Sequence, residues 1–146
     1  MFKHILLATD GSAASDHATS MAVTLAREQG ARLTAVYVVD PYPYLGIGET
    51  NPMGLNAYLS AARDHAAAAH ARVLALCNAD GKPVEVQLRL IEDVAAAVGV
   101  VNTAKDEGVD LIVAGSHGRT GIGKLMLGSV AAKLVALSPV PVLVSR

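Results

Sequence analysis

Apolar and polar positions along the chain follow two alternating regimes. "HILLATD" is a near-continuous apolar run, the pattern of a parallel strand covered on both faces. "DGSAAS" then supplies turn and N-cap residues. Ala14, Ala18, Met21, Ala22 and Leu25 recur at helical spacing until Gly30 ends the segment. "RLTAVYVVD" predicts a second strand over roughly residues 32–39. A long Ala-rich helix is expected from about Leu55 to Cys77, closed by a turn at "NADGKP", and "VEVQLRL" reads as the third strand. Val94, Val98 and Val101 mark the buried stripe of the next helix, which stops near Gly108. "DLIVAG" is a fourth, fully buried strand. A helix carrying Val130, Leu134 and Leu137 follows, and "VPVLVSR" closes the chain as a fifth strand.

Five strands and four helices joined by right-handed crossovers predict an α/β fold. The expected form is a three-layer α/β/α sandwich around an open five-stranded parallel sheet, Rossmann-like in architecture. No internal repeat or low-complexity linker divides the chain, so residues 1–146 are expected to form one domain. Ligands bind such sheets outside the C-terminal strand ends, where the strand order reverses. Asp10 ends the first strand and Gly115 the fourth, so neighbouring strands would bring both into one crevice. The stretch "DPYPYLGIGETNPMG" is long for a connection in a compact domain and reads as a lid or binding segment, with Tyr42 and Tyr44 facing a ligand or another subunit.

Charge narrows the possible partners. With 12 Lys+Arg against 13 Asp+Glu the net charge is -1, which offers no general attraction to nucleic acid or an anionic membrane. One Phe and no Trp give a base-stacking surface little support. An anion must therefore be held locally, by a shaped site. No apolar run is long enough to span a bilayer, and "MFKHILLATDGS" reaches Asp10 without a small-residue cleavage site, so a cytoplasmic location is expected. The single cysteine, Cys77, excludes an internal disulfide, fits a reducing compartment, and is expected to pack as a small apolar residue. His65 and His70 lie five apart on a helix, make no metal pair, and with His17 are expected at the surface. His4, inside the first strand, is expected to be partly covered.

The densest chemistry lies in "GSHGRTGIGKLMLGS", from Gly115 to Ser129. Its inner part "GRTGIGKL" approaches the phosphate-loop pattern G-x-x-x-x-G-K-[ST], but Leu125 stands where a hydroxyl should ligand magnesium. A dinucleotide pattern starting at Gly121 meets Met126 in its last position and fails as well. The outer glycines make better sense. Gly115 ends a buried strand and would let a sugar or base approach the backbone. Gly118 can turn the chain so that successive N–H groups share one concavity. Gly128 and Ser129 open the next helix, whose unpaired N–H groups and positive dipole end favour phosphate. Arg119 and Lys124 either meet the outer phosphates or are solvated loop charges. Asp10 is either a ligand group or an N-cap, a role Ser12 could equally fill. His117 has no orienting partner visible in the sequence, so its backbone N–H is its expected contribution.

"GSHGRTGIGKLMLGSVAAKLV", together with "ILLATDGS", "AVYVVD" and "SPVPVLVSR", resembles the universal stress protein family, in the subgroup whose motif G-x2-G-x9-G-[ST] binds ATP. The resemblance runs the length of the chain. It implies an adenine nucleotide alpha hydrolase-like sheet of strand order 3-2-1-4-5, with ATP and Mg2+ as ligand. Carried over by position, Ala8, Thr9 and Asp10 lie under the adenosine, with Asp10 meeting ribose or a phosphate-bound metal. The Val38 backbone recognises adenine. Gly115, His117 and Gly118 form the ribose and phosphate loop, and Gly128, Ser129 and Val130 a second phosphate cradle. The last strand, Val140 to Ser145, pairs across a homodimer. The function implied is an ATP-binding stress-response protein whose nucleotide state modulates contacts with a protein partner. Two alternatives stand beside it. One is a slow ATPase or phosphotransferase, since phosphoryl transfer is mostly positioning, although no catalytic base is evident. The other is a nucleotide-free interaction module using the sheet edge.

Overall fold

The computed structural model describes residues 1–41, 52–79, 81–117 and 127–146. Strands β1 (His4–Ala8), β2 (Arg32–Val39), β3 (Val86–Glu92), β4 (Leu111–Gly115) and β5 (Val142–Ser145) alternate with helices α1 (Ala13–Gln29), α2 (Pro52–Cys77), α3 (Ala96–Glu107) and α4 (Ser129–Leu137). The sheet is parallel, in the order β3-β2-β1-β4-β5. The order reverses between β1 and β4, whose C-terminal ends stand side by side, with Ala8 paired to Ala114.

Strand pleating divides the core. Ile5 and Leu7 of β1 point to one face and pack with Ala18, Ala22, Val73 and Cys77 of α1 and α2. Leu6 points to the other face and meets Val100, Val101 and Ala104 of α3 and Leu134 of α4. Cys77 is buried as expected, and burial pushes its thiol up. Ser12 caps α1, accepting the Ser15 N–H at 3.2 Å, and Gly30 ends the helix in the left-handed region at φ 65°.

The helices match the predicted stripes in part: Ala18, Ala22, Val101 and Leu134 are buried. On α3 the buried residues are Ala97, Gly99, Val100, Val101, Thr103 and Ala104, whereas Val98 is exposed and Val94 precedes the helix. A Cβ on Gly99 would come within 3.1 Å of Val38, so this close approach to β2 sets the helix phase. On α4 only Ala131 and Leu134 are buried, and Val130 and Leu137 are exposed; on α1 Met21 is exposed. Small residues thus share the sheet-facing stripes with Val100, Val101 and Leu134, which lets the helices sit close. α2 begins at Pro52, ahead of the predicted Leu55, because proline suits the first turn of a helix. β3 runs two residues later than the reading from Val84, whose N–H instead bonds the Cys77 carbonyl at 3.1 Å and closes the turn. Tyr42, Tyr44, Gly118, Arg119, Lys124 and Leu125 lie outside the described residues.

A buried polar chain ties the far end of the sheet. Thr34 donates its hydroxyl proton to Glu107 Oε2 at 2.8 Å, so His4 Nε2, 2.8 Å away, must carry the proton of the His4–Thr34 bond. Arg89 Nε donates to the other Glu107 oxygen at 2.7 Å.

Candidate functional site

At the end of β1, the Thr9 N–H bonds the Val36 carbonyl at 3.0 Å and so continues the ladder past the strand. The Thr9 hydroxyl pairs with that of Ser15 at 2.6 Å. Asp10 Oδ1 accepts the Ser12 N–H at 2.9 Å, shaping the turn that delivers the capped helix α1. The capping role itself belongs to Ser12.

Gly115, at the end of β4, also meets a packing constraint. A Cβ there would lie 3.0 Å from the Ala14 carbonyl oxygen and 3.3 Å from the Ser15 nitrogen. The bare glycine lets β4 tuck beneath the first turn of α1, and the same residue lines the cavity described below.

Ser116, which is not among the expected site residues, joins three elements. Its N–H donates to Ser145 of β5 at 2.7 Å, and its carbonyl accepts the Gly128 N–H at 2.7 Å. Its hydroxyl lies 2.7 Å from His117 Nδ1, so the imidazole does have an orienting neighbour. Gly128 is the N-cap of α4 and brings no side-chain cap. Because its N–H is committed to Ser116, the expected contribution of a bare Gly128 amide is corrected. The first-turn N–H groups of Ser129, Val130 and Ala131 face out of the helix end, since the intrahelical bonds begin with Ala132 to Gly128.

These elements surround a cavity of about 440 Å³ over the C-terminal crest of the sheet. Ala8, Thr9, Asp10 and Gly115 line its middle. Val38, Ala96, Val100, Val130 and Ala131 line the side under α3 and α4. Tyr37, Val39, Tyr58, Ala61, Ala62 and His65 line the side under α2. Of the expected site residues, the structure brings together Ala8, Thr9, Asp10, Val38, Gly115, His117, Gly128, Ser129 and Val130 around this cavity. The α2 wall was not anticipated. The signal was present in the connectivity, because a helix that follows a parallel strand starts at the C-terminal edge of the sheet.

The charged side chains among the described lining residues are Asp10 and Asp40, with no Lys or Arg. The arrangement is therefore polarised, acidic toward β1 and β2 and electropositive at the α4 terminus. Among the described residues no group of three or more His, Cys, Asp or Glu could hold a metal ion. Tyr58, in the cavity lining, donates its hydroxyl to the Asp40 carbonyl at 2.8 Å. His65 is exposed as expected, but His70 is not a surface residue. Its ring stands edge-on to Tyr37 at 6.5 Å, and burial pushes its pKa down against an opposing hydrogen bond to Ala35. Among the described residues no helix is long and apolar enough to cross a membrane.

Comparison with known proteins extends this geometry. The universal stress protein family profile matches residues 1–146. A universal stress protein of Thermus aquaticus is 40% identical over 147 aligned positions, covering 100% of both chains. The structure of universal stress protein UspA from Lactobacillus plantarum superposes with a TM-score of 0.81 at 25% identity, covering 99% of this chain and 98% of that one. A universal stress protein from Archaeoglobus fulgidus, solved in complex with dAMP, shares the fold with a TM-score of 0.67 at 19% identity, covering 99% of this chain and 98% of that one. With the whole chain matched, and the strand order and cavity in place, the chain belongs to the universal stress protein family.

Proposed function

We propose that this protein binds an adenine nucleotide, ATP together with Mg2+, in the crest cavity, and that binding rather than turnover is its core activity. One observation carries the reading: the cavity lies where the strand order reverses and ends on the first turn of α4, whose N-cap Gly128 brings no side-chain cap. A switch-point crevice closed by a helix N-terminus suits a nucleotide, with the phosphates on the Ser129, Val130 and Ala131 amides and the base toward Val38. The dAMP complex of the Archaeoglobus fulgidus protein supports an adenine moiety as the shared ligand element. Gly118 and Arg119 of the motif belong to the same reading from the sequence. Magnesium would travel with the phosphates, and Asp10 is the carboxylate placed to meet it; when bound, the ion neutralises phosphate charge.

The homodimer belongs to this proposal too. β5 is an edge strand of the sheet, and Val135 and Leu137 of the adjoining helix are exposed. Pairing between two copies through residues 140–145 would cover that edge. The nucleotide state would then bear on contacts with a further protein partner.

Isothermal titration of the purified full chain with ATP, with and without Mg2+, tests the reading. Saturable binding of one nucleotide per chain, strengthened by Mg2+, is expected. Phosphate release followed in the same samples separates binding from slow hydrolysis. No heat and no thermal shift at millimolar ATP would overturn the proposal in favour of a nucleotide-free module.

A further inference from the structure

We infer that the cavity takes a dinucleotide, two nucleosides joined through phosphates, in preference to a mononucleotide; this rests on the nucleotide reading above. Val38 belongs to the core on the α3 and α4 face, and Tyr37 and Val39 to the core on the α2 face, yet all three line the same cavity. The space therefore straddles the sheet. Every described motif residue lies on the crest or on the α3 and α4 side, and none comes from α2. One mononucleotide, with its base at Val38 and its phosphates at Ser129, uses that half.

The α2 half has a different chemistry. Tyr58 and His65 are two helical turns apart on one face of α2, about 10 Å along its axis. Ala61 and Ala62 lie between them as a low step. Tyr58 is fixed in the lining by its bond to the Asp40 carbonyl at 2.8 Å. The result is an apolar slot between two ring-bearing side chains, with Tyr37 and Val39 behind it, suited to a planar heterocycle. Its charged neighbours are Asp10 and Asp40, which disfavour further phosphate and favour a neutral nucleoside with amine and hydroxyl donors. Crevices at the point of strand reversal hold dinucleotides in this manner, one half on each side. Here the phosphate bridge would cross the crest above Asp10 and Gly115, with magnesium offsetting the Asp10 carboxylate.

Isothermal titration with three probes tests this: ATP, adenosine 5′-tetraphosphate, and di(adenosine-5′) tetraphosphate, all with Mg2+. The two tetraphosphates differ in the second nucleoside. The dinucleotide is expected to bind roughly tenfold or more tightly than adenosine tetraphosphate. Ala61→Leu fills the slot from an exposed helix position. It should abolish that advantage while leaving ATP affinity within about twofold. His65→Ala, which removes one wall and keeps the slot open, should reduce the advantage only in part. Equal affinity for the two tetraphosphates overturns the inference while the ATP site stands, as does an Ala61→Leu variant that keeps the dinucleotide advantage. Absence of binding by all three probes overturns the nucleotide reading itself.

Discussion

The carbonyl oxygen of Ser116 accepts the Gly128 N–H at 2.7 Å, and this bond decides which amides remain for an anion. With Gly128 engaged, the proposed anion site lies one step into α4, at Ser129, Val130 and Ala131. Ser129 is the first helical residue, and Gly128 before it is extended, at φ −62° and ψ 157°. Proline is favoured at that helix position and tolerates such a predecessor. Ser129→Pro should therefore keep the fold, seen as an unchanged melting temperature, while removing one amide and the hydroxyl. ATP affinity by titration calorimetry is expected to fall about tenfold, with Ser129→Ala losing less. Unchanged affinity in Ser129→Pro would place the phosphates elsewhere.

Gly115 yields a prediction that needs no ligand. Its missing side chain faces the backbone of Ala14 and Ser15, at distances of 3.0 to 3.3 Å for a built Cβ. Backbone in a capped first turn cannot swing aside as a flexible side chain would. Gly115→Ala should cost about 1–3 kcal/mol, as overpacking does. For a chain of this size that lowers the melting temperature by roughly 3–10 °C. A variant melting at the wild-type temperature would show that α1 can shift freely.

How much of this was legible beforehand depends on the kind of residue that carries it. The strands were readable because runs such as "LIVAG" are buried on both faces and have no alternative pattern. The helix faces were read only in part: Val101 is buried as expected, but the close packing also uses Ala97, Ala104 and Ala131, while Val98 and Leu137 point outward. Hydrophobicity favours the branched residue, but proximity to the sheet favours the small one. The crest half of the cavity was legible because glycines at a strand end and a helix start carry a backbone meaning on their own. Tyr58 and His65 have no such local meaning. Only the docking of α2 beside β2 puts them in the cavity wall. Ser116 escaped notice because its work is done by main-chain groups that any residue possesses.

Asp10 separates a structural role from a ligand role. Its Oδ1 accepts the Ser12 N–H at 2.9 Å, a bond that an asparagine oxygen reproduces. Asp10→Asn should hold stability within about 0.5 kcal/mol of the parent, as measured by urea denaturation. What it removes is negative charge toward a phosphate-bound cation. The gain in ATP affinity on adding Mg2+ should therefore shrink, while affinity measured in chelator stays level or rises slightly as repulsion is relieved. A full magnesium effect in Asp10→Asn would restrict Asp10 to shaping the turn.

The His4–Thr34–Glu107 chain sets the response to acid. Burial lowers the His4 pKa below the ordinary 6.5, aided by Arg32 and opposed by Glu107 and Asp110. As pH falls below 6.5, the unfolded chain takes up a proton that the folded chain declines, so stability is lost. Burial alone would raise Glu107, but the hydrogen bonds from Thr34 and Arg89 outweigh it and hold the carboxyl below the ordinary 4.5. Its stabilising contribution is present above 4.5 and is lost as pH falls further, so the two groups act in the same direction in successive windows. Urea denaturation should show stability falling between pH 7.5 and 5.5. His4→Phe should flatten that upper limb, because phenylalanine has no proton to gain and Thr34 keeps its bond to Glu107. Thr34→Val, at a fully buried position, should instead cost about 1–3 kcal/mol at neutral pH, since it strands the His4 N–H and removes a donor from Glu107. A His4→Phe variant with the parent's full loss between pH 7.5 and 5.5 would move the sensitivity to another group, of which half-buried His70 is the first to examine by the same substitution.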